Sequence, residues 1–308
     1  MLCFNPKVAK LPTFNVSKCT FFNVFKLTPQ NKSISQNYVP LRIKIIEISM
    51  ESSFFKPKIS VITVCYNASL LLEGTILSVI QQTYPNIEYI IIDGKSKDNS
   101  LEIIKKYEAK LSNYISEPDK GIYDAMTKGQ TLATGDYVIF MNAGDRFFDA
   151  KTIEKSVQAI DNQTDAFFGD VMLVDENRKH IALRSQATVH GLPNVLTWKS
   201  YKMGMIVCHQ GIFMRRSFCA PYLPQNLSAD IDWSISALKK ATKTVNTGLV
   251  VAEYLKGGIS KQKHTQSLKD RYSILKYHYG TFDVILSHVK IVFRALIFKI
   301  KRINQETY

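Results

Sequence analysis

The stretch that decides the fold is Gly135–Phe148, GDYVIFMNAGDRFF. Five apolar residues in a row, Tyr137–Met141, predict a strand that is buried on both of its faces. The strand ends in a polar turn, where Gly144 loosens the backbone and Asp145 is left at the carboxyl end of the predicted sheet. Open α/β sheets bind ligands at that edge, and a carboxylate there can hold a divalent cation against a diphosphate. Taken alone, the same residues also suit a strand followed by an ordinary turn aspartate.

Three further apolar runs come before this stretch, and each also ends in a polar turn. They lie at 59–65, 87–92 and 113–116, and segments with helical spacing of apolar residues separate them. Alternation of strands and helices predicts an α/β fold in which a largely parallel, Rossmann-like, doubly wound sheet is flanked by helices.

The second half of the chain continues the alternation less regularly. We expect one domain over 58–258, followed by a basic, amphipathic helical region over 259–308. The predicted elements are strands at 166–170, 171–174, 210–214 and 244–254, a possible hairpin strand at 181–184, and helices at 152–160, 230–240, 265–280 and 284–300; residues 185–207 predict no definite element.

The net charge of +14 is concentrated at the two ends of the chain. Residues 1–58 carry nine basic and two acidic side chains, and residues 256–308 carry eleven basic and three acidic ones. The residues between these two segments carry twenty basic and twenty-one acidic side chains, so the middle of the chain is nearly neutral. A nucleic-acid-binding core would carry its own positive face, so we expect no nucleic-acid partner. Basic ends with an amphipathic pattern suit an anionic membrane surface better, and we expect peripheral membrane contact through the C-terminal region.

The five cysteines are widely spaced and include no CxxC pair, which excludes a disulfide framework and a zinc site of the common spacing. A reducing, cytoplasmic location is the simplest interpretation. No apolar run of a secretory signal follows the basic start of the chain. We therefore expect residues 1–57 to be an extension that is disordered or that results from a wrongly assigned start site. We hypothesise that Met50 begins the functional protein.

Four motifs, in this order and spacing, resemble those of family 2 of the inverting glycosyltransferases, which have the GT-A fold. They are ISVITVCYN at 59–67, IEYIIIDGKSKDNS at 87–100, SEPDKGIYDAM at 116–126 and GDYVIFMNAGD at 135–145. The resemblance covers roughly residues 58–258 and is strongest to the subgroup that assembles bacterial capsule, colanic acid and O-antigen. It implies that a UDP- or GDP-sugar binds at the carboxyl edge of a mixed, mostly parallel sheet.

The same resemblance implies a set of donor-binding residues. Tyr66, Asn67 and Asp93 would line the base pocket, where an aspartate can accept a hydrogen bond from a base N–H and a tyrosine can stack on the ring. Asn142 would contact the ribose, and Lys128 or Arg146 would supply positive charge to the diphosphate. The full predicted donor set is Tyr66, Asn67, Asp93, Asp119, Asp124, Lys128 and Asn142.

Asp145 corresponds to the last acid of the Asp-x-Asp motif in that family. The chain departs from the motif, because Asn142 and Gly144 stand where the other acids would be. One carboxylate, phosphate oxygens and waters suffice for Mg²⁺ or Mn²⁺, so Asp145 is the predicted metal ligand.

Inversion by single displacement needs a base that removes the proton of the acceptor hydroxyl. Asp230 is the predicted base by resemblance to a Glu-Asp motif, and Asp232 is the second choice. Trp233 is expected either to stack on a sugar ring or to pack in the core. His209 and Gln210 are assigned to contact with the acceptor or the diphosphate.

The sequence thus predicts an inverting glycosyltransferase that builds a bacterial surface polysaccharide on a saccharide acceptor, by resemblance a lipid-linked one at the inner face of the cytoplasmic membrane. A catalytically impaired membrane-associated scaffold of the same fold is the alternative, and a basic nucleic-acid-binding protein is a weaker one. An NAD-binding enzyme is discounted because no GxGxxG follows the first strand.

Overall fold

The computed structural model describes residues 55–188, 190–257, 263–291 and 293. The predictions for residues 1–54, for a start at Met50 and for residues 294–308 lie outside these residues.

The first half of the sheet is parallel, with strand order β3-β2-β1-β4. Its strands and connecting helices are β1 (Ile59–Cys65), α1 (Ser69–Ile80), β2 (Ile87–Asp93), α2 (Ser100–Lys106), β3 (Asn113–Ser116), α3 (Ile122–Leu132) and β4 (Tyr137–Phe140). All seven residues of β1 and all four of β4 are buried, as expected for strands covered by helices on both faces. The doubly wound α/β prediction is confirmed, and the carboxyl ends of β1, β2 and β4 lie at one edge.

Helix α3 packs closely on the sheet because Gly129 has no side chain. A Cβ at Gly129 would lie 2.4 Å from Cγ2 of Ile62, which is fully buried in β1. The glycine therefore lets the helix backbone approach the strand, and it fixes the position of the segment that leads into β4.

The second half extends the same sheet in the order β4-β8-β6-β9-β5, with β7 paired to β6. Strand β8 is antiparallel to both β4 and β6, whereas β6 and β9 are parallel. The elements are β5 (Arg146–Phe147), α4 (Thr152–Gln158), β6 (Ala166–Val174), β7 (His180–Leu183), α5 (Arg184–Ala187), β8 (Ile212–Arg215), α6 (Ala229–Leu238) and β9 (Thr244–Leu255).

Two predictions in this half are refined by the structure. The expected strands at 166–170 and 171–174 form the single strand β6, whose register shifts between Phe168 and Val171, and β7 pairs with it as the predicted hairpin. The strand expected from Gln210 begins instead at Ile212, because His209–Gly211 form a 3-10 turn.

Helix α7 (His264–Tyr279) packs on α6, and residues 281–291 continue as a further helix. Nε2 of His278 lies 2.7 Å from Oδ1 of Asp232, and Ile274 and Leu275 join the buried core. The expected boundary at 258 therefore falls between segments that share one core. Within the described residues, none of the helices has the length and apolar character needed to cross a bilayer.

Candidate active site

Residues from both halves of the chain meet at one edge of the sheet, which we call the rim. Parallel strands β1, β2 and β4 end there. Strand β8 runs in the opposite direction, so the residues that precede it, His209 and Gln210, reach the same edge as those that follow β4. The reversal of a single strand thus places 209–210 beside 142–145.

Asp145 is buried at this rim, with 6% of its surface exposed. Nε2 of Gln210 donates a hydrogen bond of 2.7 Å to Oδ2, and the backbone N–H of Leu255 donates one of 3.1 Å to Oδ1. Burial raises the pKa of Asp145 to about 6, although these hydrogen bonds and the nearby His209 and Arg178 act in the opposite direction. The carboxylate therefore connects β4 with β8 and β9.

The turn that carries Asp145 is fixed to helix α1. The hydroxyl of Thr75 donates to the carbonyl oxygen of Asp145 at 2.7 Å and accepts from the backbone N–H of Gly144 at 2.9 Å. Gly144 has φ +106°, a left-handed conformation that disfavours residues with a Cβ. Glycine is therefore suited to this position, because it adopts the positive φ that the turn requires.

A chain of three polar side chains runs from the turn to helix α6. Nδ2 of Asn142 lies 3.3 Å from Nε2 of His209, and Nδ1 of His209 lies 3.6 Å from Oδ2 of Asp230. With the amide donating to Nε2, the ring proton is on Nδ1 and points towards the carboxylate. This chain joins two of the predicted site residues, Asn142 and Asp230, through a third.

Three tyrosines, Tyr123, Tyr222 and Tyr254, lie in the electrostatic neighbourhood of Asp230. Burial raises the pKa of each phenol, and the charge of Asp230 raises it further. The rings of Tyr123 and Tyr222 stack with their centroids 5.4 Å apart. Asp230 itself keeps 21% of its side chain exposed, so it is accessible from the rim.

The donor atoms near Asp145 fit a divalent cation held largely by substrate. Oδ1 of Asn142 is buried and has no hydrogen-bond partner among the described residues, so this oxygen has free lone pairs. The same part of the chain contains no group of three or more His, Cys, Asp or Glu side chains arranged to hold a metal. A cation at Asp145 would therefore take its remaining ligands from phosphate oxygens and water, as Mg²⁺ commonly does.

Gly94, Asp119 and Tyr66 are neighbours at the ends of β1 and β2, a part of the rim that we call the recess. A Cβ added to Gly94 would lie 2.3 Å from Oδ2 of Asp119 and 3.4 Å from Cδ2 of Tyr66. Tyr66 is 57% exposed, and an exposed tyrosine can stack on a planar ligand. Asn67 shapes the recess from one side: its Oδ1 accepts a 2.8 Å hydrogen bond from the N–H of Lys97.

Asp93 lies beneath this recess and is fully buried. Its carboxylate accepts hydrogen bonds from the N–H and hydroxyl of Ser96 and from the hydroxyl of Ser116. A direct bond to a base would require one of these serines to release it. Contact between Asp93 and a nucleobase stays a prediction, while its support of the recess is a feature of the structure.

Lys128 and Asp124 form an ion-pair group rather than an open cationic site. Nζ of Lys128 lies 2.8 Å from Oε1 of Glu117, 2.8 Å from the carbonyl oxygen of Pro118 and 3.6 Å from Oδ2 of Asp124. The predicted contact of Lys128 with a diphosphate would have to compete with these acceptors. The contacts of Lys128 with Glu117 and Pro118 fix the segment that carries Asp119.

Two predicted acceptor-side residues are engaged by other parts of the chain. Asp232 pairs with His278 of α7, which makes it a poor second choice for the base. Trp233 is 1% exposed, donates a 2.7 Å hydrogen bond from Nε1 to Gln130 and stacks on Tyr222. The sugar-stacking alternative for Trp233 is wrong, and the core alternative holds.

Sequence reasoning missed two contributors to this region. Tyr123 lies within the GIYDAM string, but an aromatic at the start of a helix gives no sign that it will face Asp230. Leu255 acts through its backbone N–H, for which no side-chain signal exists.

Comparison with known proteins identifies the family. The sequence profile described as Glycosyl transferase family 2 matches residues 60–222, more than half of the chain. The chain belongs to glycosyl transferase family 2. It is accordingly a glycosyltransferase, and the resemblance inferred from its four motifs is confirmed.

Relatives with assigned names agree with this membership. A PGL/p-HBAD biosynthesis glycosyltransferase of Mycobacterium tuberculosis is 29% identical over 215 residues, which cover 66% of this chain and 79% of the relative. The putative teichuronic acid biosynthesis glycosyltransferase TuaG of Bacillus subtilis is 35% identical over 117 residues, covering 37% of this chain and 46% of TuaG.

Solved structures share the fold at low sequence identity. The S. aureus TarS 1–349 complex with UDP-GlcNAc superimposes with a TM-score of 0.58 at 18% identity, covering 70% of this chain and 64% of that one, which is less than two thirds of its length. The mannosyltransferase PcManGT of Pyrobaculum calidifontis, solved with GDP-Man and Mn²⁺, has a TM-score of 0.54 at 15% identity, covering 79% of this chain and 76% of that one. At such identities the likeness shows the fold alone.

Proposed function

We propose that this glycosyltransferase moves a sugar from a nucleoside-diphosphate sugar to a hydroxyl of a saccharide acceptor, with inversion at the sugar carbon. The observation that carries the proposal is the pair of neighbours His209 and Gln210, which contact Asp230 and Asp145 respectively. Asp145 and Asp230 are 85 positions apart by their residue numbers, yet each contacts one of two adjacent residues at the rim.

The donor would bind across the recess and the Asp145 turn. The exposed Tyr66 ring would stack on the base, Asp119 and Asn67 would border it, and Asn142 would face the sugar nucleotide through its free amide oxygen. TarS was solved with UDP-GlcNAc and PcManGT with GDP-Man, which supports a nucleotide-sugar donor for this chain as well.

Asp145 and Asn142 would hold a Mg²⁺ or Mn²⁺ ion. When bound, such an ion neutralises the charge that develops on the leaving diphosphate. Asp145 must be ionised to serve as a ligand, and burial opposes ionisation in the free protein. The presence of Mn²⁺ in the PcManGT structure supports this assignment.

Asp230 would act as the general base. Its carboxylate accepts the proton of the acceptor hydroxyl as that oxygen attacks the sugar carbon on the face opposite the diphosphate. Nδ1 of His209 lies 3.6 Å from Oδ2 of Asp230, and Nδ2 of Asn142 lies 3.3 Å from the other ring nitrogen. Oδ1 of Asp230 accepts a 2.9 Å hydrogen bond from the N–H of Ile231, so the helix backbone fixes one oxygen while the other faces His209.

A matched pair of substitutions in α6 tests this assignment. Asp230→Asn should lower sugar transfer by about 10²- to 10⁴-fold, the usual range for a lost general base, while donor binding changes less than twofold. Asp232→Asn, on the neighbouring helix face, should keep transfer near the wild-type rate. Transfer would be followed with labelled UDP- and GDP-sugars, and retention of more than a tenth of the activity by Asp230→Asn would contradict the proposal.

We also propose that the acceptor is a lipid-linked saccharide at the inner face of the cytoplasmic membrane, and that the enzyme is peripheral there. Within the helix of residues 281–291, and at 293, one set of apolar side chains is exposed: Phe282, Ile285, Leu286, Val289 and Phe293. Their spacing of three or four places them along one helix face, and the basic C-terminal sequence adds attraction to anionic lipid. TuaG carries a name from teichuronic acid synthesis, which supports a surface saccharide.

Sedimentation with vesicles tests the membrane contact. The full chain should bind vesicles that contain anionic lipid and release them as salt increases. The double substitution Phe282→Ser with Val289→Ser should weaken binding by about tenfold or more, since burial of such side chains contributes about 1.5–3 kcal/mol each. Tyr277→Ser removes an exposed aromatic of α7 outside this set and should have little effect; equal losses in both variants would refute the assignment.

A further inference from the structure

Helix α7 contacts the residues that lead directly into Asp230, the predicted base. The N–H of Leu227 donates a 2.8 Å hydrogen bond to Oδ2 of Asp270 in α7. The hydroxyl of Ser228 donates to the carbonyl oxygen of Ser267, also in α7, at 3.1 Å. Helix α7 therefore holds the chain immediately before Asp230, at the point where α6 begins.

Ser228 does not cap the helix that follows it, although it stands at the N-cap position of α6. A serine hydroxyl at that position usually accepts a hydrogen bond from an N–H of the first helical turn, which stabilises the helix. The Ser228 hydroxyl makes no such bond and is directed to α7 instead. Departures of this kind from local preference are expected where the position of a segment matters for function.

The turn before Leu227 is in an unfavourable backbone conformation. Gln225 has φ +62°, in the left-handed region that favours glycine, and it is exposed. A residue keeps this conformation only where the surrounding structure fixes it, and such residues concentrate at functional sites. The bonds of Leu227 and Ser228 to α7 contribute to that fixation.

Leu227 also connects α7 with the donor half of the chain. Its carbonyl oxygen accepts a 3.4 Å hydrogen bond from the hydroxyl of Tyr123 in α3, while its N–H is bound by α7. Two residues after Asp230, the side chain of Asp232 contacts His278 of α7. Helix α7 therefore contacts α6 on both sides of the predicted base.

We propose that Asp270 is a positioning residue for Asp230, so that α7 takes part in building the active site. The carboxylate of Asp270 fixes the start of α6 through the N–H of Leu227, and the start of α6 sets where the Asp230 carboxylate lies. An ionised acceptor makes such a bond stronger than a neutral one does. The inference rests on the proposed function for the role of Asp230 as base. The contact lies outside residues 60–222, which the family profile matches, so family membership alone does not imply it.

Transfer assays with labelled UDP- and GDP-sugars, with a bacterial membrane extract as the source of acceptor, test this role. Asp270→Ala should lower the maximal rate about tenfold or more, because a small misplacement of a reacting group is costly, while the KM for the donor changes less than about twofold. Asp270→Asn keeps an acceptor for the N–H of Leu227 and should recover most of the wild-type rate. Lys269→Ala, at the adjacent exposed position, is the control and should match the wild type. Rates are measured well below the melting temperature of each variant.

A double-mutant cycle separates positioning from general destabilisation. Because Asp270 acts through Asp230, Asp270→Ala should lower the rate less than about twofold further in a chain that already carries Asp230→Asn. If Asp270→Ala does not fold, Ser228→Ala removes the other contact with α7 and should show the same dependence on Asp230. A full additional loss in the Asp230→Asn background, or a wild-type rate for Asp270→Ala, would overturn the inference.

Hydrogen–deuterium exchange of the peptide that contains Leu227 needs no sugar transfer. Exchange should be faster in Asp270→Ala than in the wild type, and Asp270→Asn and Lys269→Ala should resemble the wild type. Faster exchange in a chain that transfers no sugar from any donor would refute the proposed function and leave the hold of α7 on this segment standing. Unchanged exchange together with a wild-type rate would refute the inference and leave the proposed function standing.

Discussion

The carboxylate of Asp145 is almost completely buried, and both of its oxygens accept hydrogen bonds from the second half of the chain. Burial favours the neutral acid and raises its pKa from 3.8 to about 6. At neutral pH the free protein therefore maintains an ionised carboxylate in an environment that disfavours it. A bound cation would reverse this penalty, so the same atoms that lower the stability of the free protein are the ones suited to bind a metal.

Stability should depend on pH through this residue. A carboxyl whose pKa is higher in the folded state stabilises the fold below pH 3.8, and this contribution is lost as pH rises through about 6. Asp145→Asn should therefore raise the free energy of unfolding at pH 7.5 by about 1–3 kcal/mol, an upper range set by a shift of about two units. At pH 4 the difference should vanish. Urea denaturation at the two pH values measures both, and a less stable variant at pH 7.5 would contradict the assignment.

The same substitution should abolish function while it stabilises the fold. We expect sugar transfer by Asp145→Asn to fall by about 10²-fold or more, comparable to the loss of one group that stabilises a developing negative charge. A variant with full activity would exclude Asp145 as the metal ligand, whatever its stability.

At this scale the sequence indicates which residues lie together where a residue follows or precedes a strand. Asp145, His209 and Gln210 stand at such positions and meet at the rim, while their roles stay predictions. The sequence is less reliable for Trp233 and Lys128, because the direction of a helical side chain and the partners of a lysine depend on tertiary contacts.

At the scale of elements, helix α3 shows how a small residue sets the distance between layers. It runs from Ile122 to Leu132, between Gly121 and Ala133. The direction of β8 could not be predicted, because a short apolar run carries no information on whether a strand is parallel or antiparallel. The meeting of the two halves at the rim depends on that direction.

Gly129→Ala tests the close approach of α3. The added Cβ would meet the side chain of Ile62, which is fully buried and cannot move freely. Although alanine favours helices, we expect a net loss of about 1–3 kcal/mol in the free energy of unfolding, typical of overpacking. Thr131→Ala, at an exposed position of the same helix, is the control and should change stability by less than about 0.5 kcal/mol. A stabilised Gly129→Ala would show that the layers can separate at little cost.

At the scale of the whole molecule, the catalytic region is held together by residues from Phe55 onwards. Phe55 packs against one core cluster, the hydroxyl of Tyr84 donates to the carbonyl oxygen of Pro57, and the amide of Asn86 donates to that of Lys56. The basic charge of the chain lies mainly outside 59–255, and the sequence alone located it. The packing of α7 on α6 was not predictable, since it depends on the pairing of Asp232 with His278.

Removal of residues 1–49 should therefore leave the enzyme intact. We expect the melting temperature and the rate of sugar transfer to match those of the full chain, because the contacts of residues 55–57 are retained. Thermal unfolding and transfer assays on the shortened protein measure this. A lower melting temperature or a slower transfer rate would show that residues 1–49 contribute to stability or to activity.

The antiparallel course of β8 has a consequence for how the enzyme can diversify. The stretch of 184–208 leads into the short turn before β8 that carries His209 and Gln210, and Arg184 at its start binds the carbonyl oxygens of Met205 and Ile206 near its end. The stretch also packs on the second half of the sheet, because the N–H and the carbonyl oxygen of Leu196 both bond to the hydroxyl of Thr244, and the amide of Asn246 donates to the carbonyl oxygen of Pro193. Exchange of this stretch between relatives would therefore alter the second half of the rim together with its contacts on β9, and would leave β1, β2 and β3 as they are.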